Sequence, residues 1–174
     1  MSTETFPDTV ASTISPDHFR AVMRHLPTGV AAICAEDPET GGPAGLIVGT
    51  FQSLSLDPAL VTFSVARTSS SWPKVARARW FSVSLLADGQ QPICKALSSK
   101  TGDKFQSISW TKSQFGTPHI DGALGWIDCA IREELDGGDH ILIVAEVLQM
   151  QAAEGEPLVF HGGRLGSFRE SAAS

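Results

Sequence analysis

Four hydroxyls and a guanidinium stand together in Arg67-Thr68-Ser69-Ser70-Ser71, just ahead of Trp72-Pro73 and a predicted helix. Hydroxyls, free N–H groups at a helix start and an adjacent Arg are the parts from which a phosphate site is built. A polar loop whose serine caps the next helix has the same composition, and the two roles are compatible, since one hydroxyl can cap while others bind. Lys104 in Asp103-Lys104-Phe105 is a candidate second cation, a solvated lysine being the plain alternative. Upstream, Gly49 interrupts the apolar run Leu46 to Phe51; a strand glycine marks either a bulge or a close approach by a ligand. His140 follows Gly138-Asp139 where a strand begins, and is either a cleft-rim residue or a satisfied structural one. His18 and His25 fall on a helix surface and His119 in a loop. No Ser/His/Asp or paired-carboxylate pattern and no Rossmann glycine fingerprint is present. The chemistry on offer is a platform for a flat ligand beside a clamp for its phosphate.

The elements that must position these residues are mostly strands. Ser15-Pro16-Asp17 starts a helix, with Ser as N-cap, Pro at the first helical position and an acid in the first turn. Phe19, Val22, Met23 and Leu26 share one face of it, and Pro27 ends it. Strands are predicted over residues 30–35, 46–51 and 60–66, with Asp57-Pro58 as a type I turn carrying Pro at its second position. A short helix over 73–79 precedes a strand over 80–86, in which Phe81, Val83 and Leu85 alternate with Ser82 and Ser84 as on a half-buried strand. Residues 90–99 read as a helix, 100–120 as an irregular connection, and 123–132, 140–150 and 158–161 as strands. Residues 1–14 read as a disordered tail, 15–166 as one domain and 167–174 as a C-terminal tail. Six or seven strands with few, short helices favour a closed or nearly closed antiparallel barrel. The strand Ile141 to Val147 is apolar on both faces, so something must cover its outer side, most simply a second subunit.

Composition bounds the function. The 174 residues carry a formal net charge of -6, which argues against nucleic-acid and anionic-membrane surfaces and requires any phosphate site to be built locally. No apolar run is long enough to span a bilayer, and the N-terminus lacks the order of a signal peptide. Cys34, Cys94 and Cys129 are odd in number and have no metal-type spacing, so they read as buried thiols of a cytoplasmic protein without a metal site.

The stretch GLIVGTFQSLSLDPALVTF at 45–63, followed by the Ser/Thr cluster, resembles the flavin-binding signature of flavin reductase-like proteins with the FMN-binding split-barrel fold. These are reductase components of two-component flavin-dependent monooxygenases. Other segments follow in the family's order: LPTGVAAI at 26–33, SLLADGQ at 84–90, DKF at 103–105, DGALGWIDC at 121–129 and GDHILIVAEV at 138–147. The resemblance covers residues 16–165 and implies a mainly β, Greek-key antiparallel split barrel, a homodimer and flavin sites near the subunit boundary. It implies reduction of FMN or FAD by NADH or NADPH, with reduced flavin diffusing to a separate monooxygenase.

By that resemblance, Val48, Gly49 and Thr50 lie against the isoalloxazine, and Ser55 with Leu56 near its dimethylbenzene or ribityl side. Arg67, Ser69, Ser70, Ser71 and Lys104 hold the phosphate, with Phe105 beside them, and His140 borders the nicotinamide. The family often has Ser or Asn where this chain has Gly49. It usually has an aromatic residue where this chain has Leu165; with no tyrosine in the chain, stacking against a nicotinamide is either weaker or supplied by Phe160 or Phe168. Two rival readings share the fold: a flavin-dependent oxidase of the pyridoxamine-phosphate-oxidase type, marked by retained flavin and no need of NAD(P)H, and a non-enzymatic flavin- or haem-binding module, marked by binding without turnover.

Overall fold

Seven antiparallel strands form the body of the protein, in a computed structural model that describes residues 14–169. The strands are β1 Thr28–Gly29, β2 Ala31–Glu36, β3 Pro43–Val48, β4 Gln52–Leu56, β5 Ala59–Ala66, β6 Phe81–Leu85, β7 Trp110–Lys112, β8 Pro118–Ile120, β9 Gly125–Gly137, β10 His140–Ala152, β11 Leu158–His161 and β12 Arg164–Ser167. The helices are α1 Pro16–Met23, α2 Trp72–Ala76 and α3 Gln91–Ser98. The main sheet runs β3-β2-β6-β9-β10-β5-β4, with small sheets β1-β11-β12 and β7-β8 packed outside it. Its two edge strands, β3 and β4, are consecutive in sequence, so the sheet curls round until the chain itself crosses the open seam at residues 49–51. This is the antiparallel split barrel.

Strand periodicity explains the core. Ile33, Phe63, Val83, Cys129 and Ile143 point inward into one buried cluster, while Ala32 and Cys34 on the opposite face of β2 pack with Leu97, Phe105, Ile120 and Leu158 in a second. β2 is therefore buried on both faces, which is why it reads as a continuous apolar run. Burial pushes the Cys34 and Cys129 thiols up to about 12; Cys94 is only partly buried.

Three expectations need correction. Ser82 and Ser84 do not face solvent: β8 and the segment around it cover that side of β6. The Ser82 hydroxyl donates to the carbonyls of Cys34, at 3.3 Å, and of Pro118, at 2.5 Å, while the Ser84 hydroxyl accepts from the Ile120 N–H at 3.1 Å. The Asp57–Pro58 turn is not type I; its peptide is cis and Pro58 stands third in the turn, the type VI arrangement. Residues 100–120 are not wholly irregular, because they contain β7 and β8, pinned where buried Asp128 accepts from Ser113, Thr117 and His119.

At the ends, β12 extends to Ser167, one residue into the predicted C-terminal tail. Residues 1–13 of the predicted N-terminal tail and 170–174 of the C-terminal one lie outside the described residues. α1 begins as expected, with the Ser15 hydroxyl accepting the His18 N–H at 3.2 Å. Its apolar face, however, buries nothing: Phe19, Val22, Met23 and Leu26 are all about half exposed.

Candidate flavin site

A cavity of about 650 Å³ opens where the chain crosses the seam. Leu46, Val48, Val65 and Ala66 give it an apolar wall, and Ser69, Ser70, Ser71 and Lys104 close one end with hydroxyls and an ammonium. The fold thus gathers Val48, Gly49, Thr50, Ser69, Ser70, Ser71, Lys104 and His140 around one space.

Gly49 is dictated by its neighbour. A Cβ built there would lie 2.8 Å from Thr28 Oγ1, a buried hydroxyl with no hydrogen-bond partner of its own. Thr28 occupies the room that a larger residue at 49 would need, and the bare backbone of Gly49 is left at the cavity wall. Gly49→Ser is expected to destabilise the fold by about 1–3 kcal/mol, the ordinary cost of overpacking. Adding Thr28→Ala should recover most of that loss in denaturant titrations; an additive double-mutant cycle would break the Thr28–Gly49 link. Next along, the Thr50 hydroxyl accepts the Ser64 N–H at 2.9 Å and so ties the crossing segment to β5.

The serine cluster divides its labour. Ser69 serves the start of α2, its hydroxyl accepting the Trp72 N–H at 3.2 Å, while Ser71 at the N-cap position makes no side-chain cap bond. Trp72 is anchored edge-on against Phe63 and Phe81, at 5.6 and 6.5 Å between ring centres, which fixes the loop to the core. Ser71 instead accepts from Lys104 Nζ at 2.8 Å. That ammonium also reaches the Leu97 carbonyl at 2.8 Å and the Gly45 carbonyl at 3.5 Å. Burial, and then the charge of Lys74, hold the Lys104 ammonium below the usual lysine range. A cation in that position gains from any anion brought beside it.

Arg67 points elsewhere. Its Nε donates to the Gly138 carbonyl at 2.7 Å and a terminal nitrogen to Asp136 at 2.9 Å, while its backbone N–H donates to Asp139 O at 3.0 Å. It braces the tight β9–β10 turn, where Gly138 adopts a φ of 78°, and it does not line the cavity. The Gly138 N–H and then Arg67 hold the Asp136 carboxyl below the usual carboxylate range. His140 follows this turn and lines the cavity rim, half exposed, with Nδ1 2.7 Å from Asp139 Oδ1. That contact holds the Asp139 carboxyl low as well.

Four other predicted residues fall outside the cavity. Ser55 and Leu56 end β4 away from it, with Leu56 95% exposed. Phe105 is buried in the second core cluster and lines an adjoining chamber. Phe160, on β11, lines a neighbouring groove with Leu165 and Cys94, which shares Val48 and Gly49 with the cavity. Sequence reasoning missed Ser98, Ser99 and Lys100, the end of α3 and the loop beyond it, which complete the polar end. They form a second hydroxyl-plus-cation run, the same signal that singled out residues 67–71.

A family model described as the flavin reductase like domain matches residues 23–169. The chain belongs to the flavin reductase-like family. It is 42% identical over 160 residues to a flavin reductase of Pseudomonas putida, covering 91% of this chain and 94% of that protein. It is 39% identical over 155 residues to HsaB of Rhodococcus jostii, the reductase subunit of a flavin-dependent monooxygenase, covering 88% and 78% of the two chains. Among solved structures it resembles the NADH:FAD oxidoreductase SgcE6 of Streptomyces globisporus in complex with NAD and FAD fragments. The TM-score is 0.84 at 28% identity, over 94% of this chain and 100% of that one. For this member of the family, an apolar-walled slot ending in hydroxyls and Lys104 fits a planar ring with a phosphate tail.

Proposed function

We infer that this protein is an NAD(P)H-dependent flavin reductase that reduces FMN or FAD and releases the product to a separate flavin-dependent monooxygenase. The observation that carries this reading is the slot itself, apolar along its wall and cationic at one end, in a chain of the flavin reductase-like family. With both nucleotides bound, the chemistry supplied is transfer of a hydride from nicotinamide C4 to flavin N5. The protein's contribution is alignment and needs no acid, base or nucleophile. The wall from Leu46 to Val48 and Val65 to Ala66 receives the flat ring, and the bare backbone at Gly49 lets N–H groups approach its polar edge. Ser70, Ser71 and Lys104 hold the phosphate. His140 stands on the rim, where the nicotinamide nucleotide would enter an open cleft.

The test is direct. Purified protein mixed with NADH or NADPH and with FMN or FAD should consume the nicotinamide absorbance with turnover. Flavin binding without consumption would sink the enzymatic reading.

We further propose a homodimer. Leu142, Leu148 and Met150 on β10 are 37%, 37% and 66% exposed, and the apolar face of α1 is uncovered as well. Such surface calls for a partner, and a second copy is the simplest. Light scattering should report twice the 18.5 kDa chain mass; a monodisperse monomer at micromolar concentration overturns the dimer. Among the described residues no helix is long and apolar enough to cross a membrane, and no group of side chains has the makings of a metal site.

A further inference from the structure

The turn that delivers His140 to the cavity rim is short and has little to stiffen it. Residues 136–140 read Asp-Gly-Gly-Asp-His, and Gly137 already pairs with His140, so Gly138 and Asp139 alone reverse the chain. Two glycines in succession would leave such a turn conformationally free. In the fold its polar groups are tied instead. The Gly138 N–H donates to Asp136 Oδ1 at 2.8 Å, and the Gly138 carbonyl accepts from Arg67 Nε at 2.7 Å. The Asp139 carbonyl accepts the Arg67 N–H at 3.0 Å, and a terminal nitrogen of Arg67 reaches Asp136 Oδ1 at 2.9 Å. One residue just past the end of β5 thus makes three bonds to a turn far away in sequence.

Arg67 stands between two parts of the site. On one side its neighbour Ala66 is paired with His140. On the other it leads into residues 68–71, where the Ser69 N–H donates back to the Ala66 carbonyl at 2.9 Å. Ala66, Thr68 and His140 line the ring cavity, whereas Arg67 does not. Folding stability gives no reason for this arrangement. The Arg67 and Asp136 side chains are 46% and 82% exposed, and pairs so exposed contribute little to stability. What the bonds fix is the direction in which the turn presents His140. The planar fork of an arginine is suited to that task, because it reaches Gly138 and Asp136 at once.

We propose that Arg67 is a positioning residue for hydride transfer, acting through the β9–β10 turn on His140 and touching neither nucleotide. The proposal rests on the reading of the His140 rim as the nicotinamide side.

Stopped-flow reduction and flavin titrations on the wild type, Arg67→Ala, Arg67→Lys, His140→Ala and the double variant Arg67→Ala/His140→Ala test this. Arg67→Ala should slow hydride transfer, or raise the KM for NAD(P)H, by about five- to tenfold. The Kd values for FMN and riboflavin should stay within about twofold, and the melting temperature should fall by no more than about 4 °C, the scale of an exposed ion pair in a chain of this size. Arg67→Lys should stay nearer to the alanine variant than to the wild type, since an ammonium cannot span both partners. In the His140→Ala background, Arg67→Ala should cost less than about a further twofold, because the group it serves is gone. Losses that multiply in the double variant overturn the proposal. A loss of FMN affinity with riboflavin spared also overturns it, and gives Arg67 to the phosphate. A larger thermal loss that carries flavin affinity down with it makes Arg67 merely structural and overturns it too. A slow His140→Ala beside a fast Arg67→Ala removes this proposal alone; a fast His140→Ala removes the rim reading, and the proposal with it.

Discussion

Lys104→Ala should weaken FMN binding by about 1.5–3 kcal/mol, or roughly ten- to a hundredfold in Kd, the range of hydrogen bonds to charged groups. The ammonium is held by Ser71, Leu97 and Gly45 at the polar end of the cavity, so its position does not depend on a flexible side chain finding the ligand. Riboflavin, which has no phosphate, should bind the variant almost as it binds the wild type. Equal losses for riboflavin and FMN would mean that Lys104 shapes the loop and does not bind phosphate. The melting temperature, recorded alongside, reports any loss of the loop. The pH dependence has a definite sign. Burial, followed by the Lys74 charge, lowers the Lys104 pKa. Phosphate affinity is therefore complete while Lys104 is protonated and falls as pH rises through that lowered value, before an ordinary lysine would discharge. Riboflavin affinity should show no such limb.

How much of this could be read from the chain depended on whether the signal was local. The barrel was legible because alternation and turn residues are local, and so was the Ser15 cap. The seam was legible through Gly49, yet its reason was not: Thr28 lies 21 residues away, and only the folded β1 brings its hydroxyl against that backbone. Ser82 and Ser84 looked solvent-facing because a strand pattern cannot announce that β8 will cover it. Arg67 shows the same limit from the other side. Its neighbours in sequence are the hydroxyls of residues 68–71, whereas its neighbours in space are Gly138 and Asp136, brought over by the antiparallel pairing of β5 with β10. A long side chain at a strand end can turn either way, and composition does not choose. Ser98, Ser99 and Lys100 were missed for lack of a flanking strand pattern, though their chemistry matches the cluster that was found.

His140→Ala should lower the rate of flavin reduction, or raise the NAD(P)H requirement, by about ten- to a hundredfold, since each factor of ten is only about 1.4 kcal/mol of alignment. His140 opens β10 opposite Ala66, so its ring is carried to the rim by two paired strands rather than by a loose loop. The turn before it is held by Arg67, which bridges Gly138 and Asp136, and the ring itself is held by Asp139. These contacts orient the imidazole without burying it, the placement expected of a group that meets an incoming nucleotide. Flavin affinity should change little if the phosphate is held, as proposed, by Lys104 and the serines. Stopped-flow reduction at saturating flavin separates this from a structural role: a core histidine would lower the melting temperature and flavin affinity together. Wild-type hydride transfer in a well-folded variant would remove His140 from the nicotinamide side. A Gln at the same position, able to keep a hydrogen bond to Asp139, should restore part of the rate if orientation is what His140 supplies.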